Sequence, residues 1–252
     1  MRVVISGASS GIGLALAHHY LKRGATVCAF ARRGGLLREL CAEYPGRVHA
    51  NAVDVRDADA MAAAAHQFMS REGTPDLVIA NAGVSWGTLT ESIEDEAVFQ
   101  DIMDVNVLGM VKTIQPFLAP MREAARGTLA GIASVAGFRG IPGSGAYSAS
   151  KAAAIAYLEA LRVELRGSGI RVITVCPGYV KTPMTAVNPY PMPFLLEADD
   201  AARRIAGVIE RGKSFAVVPW QMGLVGGALK LLPNGLYDWA FSKAPRKPRR
   251  PG

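Results

Sequence analysis

The stretch Arg2-Val3-Val4-Ile5-Ser6-Gly7-Ala8-Ser9-Ser10-Gly11-Ile12-Gly13-Leu14-Ala15-Leu16 decides how this chain is read. A β-branched run stops at a glycine, three small residues follow, and Gly11-Ile12-Gly13 opens an apolar helical pattern. Glycines at such a junction permit a tight turn and let backbone come close to a pyrophosphate seated on the helix N-terminus. The strand before and the helix behind make a dinucleotide loop the preferred reading over an ordinary turn.

The alternation continues outward. Arg2–Ser6, Thr26–Ala31, Arg47–Val53, Asp76–Ala80, Gly127–Ser134, Ile170–Cys176 and Ser214–Val218 read as strands. Between them, Ile12–Arg23, Gly35–Glu43, Asp57–Arg71, Ile93–Met121, Ala149–Arg166 and Asp199–Arg211 read as helices. Strict alternation predicts βαβ units, hence an α/β fold: one doubly wound, Rossmann-type domain with a seven-stranded parallel sheet and helices on both faces. Ligands of such sheets bind beyond the carboxyl ends of the strands. Residues 1–219 are expected to form the catalytic domain and 220–252 an apolar, aromatic and then basic appendage.

About 20 residues after the loop, an acid would hold a ribose 2′-hydroxyl and a base would accept a 2′-phosphate. Arg32 and Arg33 stand there, and no Asp or Glu occurs between Gly13 and Arg38. A guanidinium matches phosphate geometry, so NADP(H) is expected over NAD(H). Asp54-Val55 and Asn81-Ala82-Gly83 follow the third and fourth strands, where turn residues are ordinary but a cofactor would also lie.

Tyr147-Ser148-Ala149-Ser150-Lys151 sets a phenol and an ammonium on one helix face by its i, i+4 spacing. A free phenol, with a pKa of roughly 10, is a poor acid or base near neutrality, and a nearby cation favours its ionised form. Alone, the pair also fits a surface Tyr over a Lys stem; Ser134, closing a strand thirteen positions upstream, and Asn106 in Asp104-Val105-Asn106-Val107-Leu108-Gly109 give it company.

Together these elements resemble the short-chain dehydrogenase/reductase family over about residues 1–220. The resemblance implies Tyr147 as general acid/base, with Lys151 lowering its pKa and holding the nicotinamide ribose. It also implies Ser134 on the substrate carbonyl and Asn106 on a proton-relay water. It assigns Gly7, Ser9, Ser10, Gly11, Ile12 and Gly13 to the phosphate loop, Asp54 with Val55 to the adenine edge, and Asn81, Ala82 and Gly83 to the wall beside the cofactor. In Pro177-Gly178-Tyr179-Val180-Lys181-Thr182-Pro183 it implies a segment closing over the nicotinamide, Val180 packing on the ring and Thr182 bonding its amide or the phosphates. The implied substrate is a small carbonyl compound or secondary alcohol. The alternatives are a catalytically silent NADP-binding sensor or scaffold and an epimerase or dehydratase on a related fold, which would be longer and have a differently spaced loop.

Other readings limit partners. Cys28, Cys41 and Cys176 show no metal or disulfide spacing and are expected to be reduced thiols. His18, His19, His49 and His66 lie away from the motifs, so no metal is expected. The net charge is +7, yet Lys243, Arg246, Lys247, Arg249 and Arg250 contribute five positive charges in the last ten residues, so a nucleic-acid groove is not expected. The N-terminal residues lack the pattern of an export signal, which points to the cytoplasm. The tail departs from the family's glycine-rich tetramer segment, so a homodimer is expected over a tetramer. Trp220–Leu232, with Tyr237, Trp239 and Phe241 beyond, suggests either contact with a membrane surface and a hydrophobic substrate, or a lid or subunit contact at Gly223–Leu232 that leaves Arg246–Gly252 as a solvated tail. The pocket walls are expected from loops around Val84–Thr88, Val135–Gly145 and Tyr179–Leu196.

Overall fold

The computed structural model describes residues 1–250. Seven strands, β1 (Arg2–Ser6), β2 (Thr26–Ala31), β3 (Val48–Ala52), β4 (Leu77–Ala80), β5 (Gly127–Ile132), β6 (Ile170–Pro177) and β7 (Phe215–Val218), form one sheet. The order is β3-β2-β1-β4-β5-β6-β7 and every pairing is parallel, Val4 lying opposite both Cys28 and Val78.

Successive side chains of a strand face opposite sides, so a strand covered on both faces must be apolar throughout. β1 illustrates it. Val3 and Ile5 pack with Leu16 and Tyr20 of α1 (Gly11–Lys22), Leu37 and Leu40 of α2 (Gly34–Glu43) and Ile205 of α7 (Ala198–Glu210). Val4 faces Met61 and Phe68 of α3 (Ala58–Glu72), Phe117 of α5 (Gly109–Glu123) and Leu158 of α6 (Gly145–Glu164). Two cores thus sandwich the sheet. The chain reverses its direction of growth between β1 and β4, and at that switch point a cleft opens beyond the strand ends.

The structure departs from the sequence-based expectation in two places. The continuous helix expected over Ile93–Met121 is α4 (Asp95–Met103) and α5 joined by a π turn at Asp104–Leu108. One wide turn changes the helix phase, and such turns accumulate at functional sites; here it carries Asn106.

The tail departs further. α8 (Trp220–Leu231) and α9 (Asn234–Phe241) follow β7 directly. Arg139 holds both, donating to the Leu229 carbonyl oxygen at 2.6 Å and lying over the Tyr237 ring at 4.0 Å. Residues 246–250 are not a solvated tail. The Gly87 N–H donates to the Pro248 carbonyl oxygen at 2.8 Å, Lys247 is 8% exposed, Arg249 pairs with Asp95 at 3.0 Å, and Arg250 reaches Asp101. Acidic partners on α4, distant in sequence, capture the basic residues and strap them across the sheet's ligand end. No helix among the described residues is long and apolar enough to cross a membrane.

Candidate active site

The cleft beyond the strand ends has a volume of about 370 Å³. Its floor is the loop after β1. Gly7 (φ +71°) and Gly11 (φ +55°) adopt a left-handed backbone that favours glycine. At Gly13 the requirement is space: a Cβ would lie 2.3 Å from the Gly7 carbonyl oxygen and 2.5 Å from Asn81 Nδ2. Gly13 therefore sits behind the cleft and lets α1 approach the turn, while Gly7, Ser9, Ser10, Gly11 and Ile12 line it. The first N–H groups of a helix have no acceptor within it, and the Ser10 side chain makes no capping bond, so the α1 terminus presents donors to the cleft. A pyrophosphate fits that cradle.

Arg32 and Arg33 stand at the same end. Arg33 Nη2 donates to Ser10 Oγ at 2.7 Å and to Ser9 Oγ at 3.3 Å, folding the guanidinium over the loop. Asp54 and Val55 line the wall after β3, but the Asp54 carboxylate is claimed by Arg56, which donates from its backbone and its guanidinium at 2.7–3.2 Å. That guanidinium holds the Asp54 carboxyl below its ordinary range. Sequence reasoning missed Arg56, although its place two residues after Asp54 was visible. Asn81 Nδ2 donates to the Ser6 carbonyl oxygen at 3.0 Å, while the Asn81 and Ala82 N–H groups donate to Ser6 Oγ, tying β4 to β1; Asn81, Ala82 and Gly83 line the cleft.

Pro177, Gly178, Val180 and Thr182 form the opposite wall. Val180 is buried and bridges Leu196, and the Thr182 methyl abuts Gly11. At the deep end sit Ser134, which caps a short 3₁₀ turn at Val135–Gly137, and Tyr147 and Lys151 in the first turns of α6.

Lys151 is buried, its Nζ donating to the Ile132 carbonyl oxygen at 3.0 Å and lying 5.8 Å from the Tyr147 ring centre. Burial lowers Lys151 to about 8. Burial also raises the Tyr147 phenol, while the Ser134 hydroxyl pulls it down. Desolvation sets the net direction, penalising the phenolate more than the Ser134 hydroxyl favours it.

Asn106 does not line the cleft. Wholly buried behind it, Asn106 accepts from the Val84 N–H at 2.8 Å and donates to the Val84 carbonyl oxygen and Ser150 Oγ, both at 3.0 Å. Both amide donors are used within the protein, and these contacts clamp the loop after β4 onto α6. None of the four histidines lines the cleft.

A second cavity, of about 310 Å³, adjoins the first. Ser134 and Tyr147 line both. Its walls include Ser85, Ile141, Tyr179 and Tyr190 from the three expected loops, but also Phe241, Ala244, Pro245 and Lys247 from the tail. No local pattern marked those four as lining.

A doubly wound parallel sheet with a glycine-floored cleft and a Ser-Tyr-Lys cluster at its deep end defines a dinucleotide-dependent oxidoreductase. The short chain dehydrogenase family profile matches residues 1–190, and the chain belongs to that family. An uncharacterized oxidoreductase of Myxococcus xanthus is 42% identical over 240 residues, covering 94% of each chain. Among solved structures, a short-chain dehydrogenase from Streptomyces avermitilis aligns with a TM-score of 0.82 at 27% identity, over 95% of this chain and 96% of that one. A 3-ketoacyl-(acyl-carrier-protein) reductase from Brucella melitensis complexed with NADH gives 0.78 at 26% identity, over 86% and 94%. A serine dehydrogenase complexed with NADP⁺ gives 0.75 at 26% identity, over 83% and 89%. The chain is thus an oxidoreductase acting on CH–OH groups of small molecules, in a family whose members bind NAD or NADP.

Proposed function

We propose that the chain is an NADP(H)-dependent oxidoreductase that interconverts a carbonyl and a secondary alcohol, with Tyr147 as general acid/base. Residues 1–219 are its catalytic unit, and 220–252 an appendage to it. The observation that carries the reading is the shared wall: Ser134 and Tyr147 face both the dinucleotide cleft and the adjoining chamber. A substrate in the chamber would meet the cofactor along this shared lining, which Gly178, Met184 and Thr185 complete.

The bound nicotinamide supplies or takes up hydride. Ser134 Oγ, held by the Ala136 N–H at 3.1 Å, orients the substrate oxygen. Burial keeps the Tyr147 phenol protonated, the form needed to donate to a developing alkoxide in the reductive direction. The Lys151 ammonium stabilises the phenolate that remains. Asn106 acts behind this pair by fixing α6 against Val84. Intact Tyr147, Lys151 and Ser134 argue against a silent sensor.

NADP(H) preference is supported by Arg32 and Arg33 at the cleft's open end and by Asp54 being neutralised by Arg56. The test is a fluorescence titration with NADPH and NADH, repeated on Arg32→Ala, followed by carbonyl turnover by wild type and Tyr147→Phe. NADPH binding that weakens about tenfold in the arginine variant, with turnover lost in Tyr147→Phe, is the expected result. Equal NADH and NADPH affinity overturns the cofactor preference; full turnover by Tyr147→Phe overturns the acid/base assignment.

A peripheral membrane contact is the second reading. It rests on Trp220, Leu224, Leu231, Leu236 and Trp239, all more than half exposed on α8 and α9.

A further inference from the structure

Lys247 has no role in the chemistry above, yet its position is costly. Lysine is almost never fully buried without a partner, because an ammonium taken from water loses its hydration. Here the residue is 8% exposed, and Nζ makes a single hydrogen bond, to the Met184 carbonyl oxygen at 3.2 Å. An ammonium has three donors. No carboxylate pairs with it among the described residues, whereas its neighbours Arg249 and Arg250 find Asp95, Glu94 and Asp101.

The strap also places the lysine in the chamber that contains the reacting residues. Gly87 admits the strap, since a Cβ there would lie 2.2 Å from the Lys247 carbonyl oxygen. Lys247 lines the chamber that Ser134 and Tyr147 share with the cofactor cleft. The rest of the chamber's walls are largely apolar, with Ile141, Pro142, Phe241 and Pro245. A second unsatisfied group lines the same chamber: Asn188 has a buried Oδ1 without a partner, and its Nδ2 reaches only the Met192 sulfur at 3.5 Å. Turned over, that amide offers N–H donors to an anion.

A chamber with hydrogen-bonding acid/base chemistry at one place, apolar walls, and an unpaired buried cation at another matches an amphiphilic acid. We propose that Lys247 determines specificity by holding a carboxylate that the substrate carries apart from its reacting carbonyl. The inference rests on the oxidoreductase reading for the carbonyl end, while the carboxylate end stands on the chamber alone. Burial lowers Lys247 to about 8, so the ammonium form still prevails at neutral pH. A carboxylate arriving there replaces lost hydration with a charge-assisted bond, at a site where such a bond is stronger than at the surface.

The test uses methyl-ketone carboxylic acids of graded chain length and their methyl esters, which match in shape and differ in charge. Binding is measured by calorimetry on the full chain with and without NADP⁺, and turnover with NADPH, for wild type, Lys247→Met and Lys247→Arg. The expected result is acid bound at least about 30-fold more tightly than ester, a preference lost in Lys247→Met and partly kept in Lys247→Arg. Acids and esters bound alike, no acid bound at all, or an acid preference unchanged in Lys247→Met overturns the proposal. Turnover of ketones without acid preference would leave the oxidoreductase reading intact and remove this one. Lysine-dependent binding of acids that are never reduced would establish an anion site and overturn its role in substrate specificity.

Discussion

Gly87→Ala tests whether the strap is a separately docked element. The added Cβ would meet the Lys247 carbonyl oxygen at 2.2 Å, whereas real contacts stay beyond 3.0 Å, so the strap must withdraw by about 1 Å. The Gly87 N–H to Pro248 bond, now 2.8 Å, then stretches beyond useful range. Its loss removes about 0.5–1.5 kcal/mol, and misalignment of Arg249 on the buried Asp95 carboxylate removes about 1.5 kcal/mol more, the lower value for a charged bond because the arginine is half-exposed. The sum, about 2–3 kcal/mol, raises the undocked population roughly 30- to 150-fold. Trypsin reads this directly, because Lys243 and Arg246 are exposed and cleavage follows the open population when opening is fast. Cleavage after Lys243 and after Arg246 is expected to accelerate by that factor. Neither sheet core includes a strap residue, but the docked native state loses the same ~2–3 kcal/mol, so Tm should fall by at most about 4–12 °C, and by less where the strap undocks below the main transition. An unchanged cleavage rate would refute the reasoning about Gly87. A Tm loss of several degrees without faster cleavage would show that the strap unfolds only with the whole domain.

Two further outcomes follow from charge and exposure. Folded Lys247 titrates at about 8 against 10.5 for the free side chain, so between those values the unfolded chain holds more protons and stability rises with pH. Urea unfolding of wild type and Lys247→Met should show the wild type gaining relative to the variant from pH about 8 to 10; comparing the two cancels Cys28 and Cys176, whose raised thiols act oppositely above pH about 9. A constant difference would mean the ammonium is not desolvated. For α8 and α9, the chain should sediment with anionic vesicles and Trp239→Glu/Leu231→Glu should not, whereas vesicle binding by neither protein would end the membrane reading.

The legible parts of this molecule are those governed by short-range pattern. Val3–Ile5 and Val27–Phe30 announce doubly buried strands because no residue in them can face water, and Gly13 is demanded by a backbone approach that any side chain would block. The π turn was not legible, since Asp104–Leu108 continues a helical pattern and only packing around Asn106 resolves the phase. Desolvation of the Tyr147 phenol was not legible for a related reason: spacing places Lys151 but says nothing about how deeply the pair is buried. The strap was hidden most completely. Pro245–Arg250 has the composition of a solvated tail, and its partners Gly87, Asp95 and Asp101 lie some 150 residues earlier.

That division has a practical meaning for redesign. The family-matched segment ends at residue 190, while the charged roof of the chamber is supplied from the last few positions of the chain. Part of the chamber's lining is therefore written apart from Ser134, Tyr147 and Lys151, and a library confined to residues 241–250 would vary that part while leaving those three side chains unchanged.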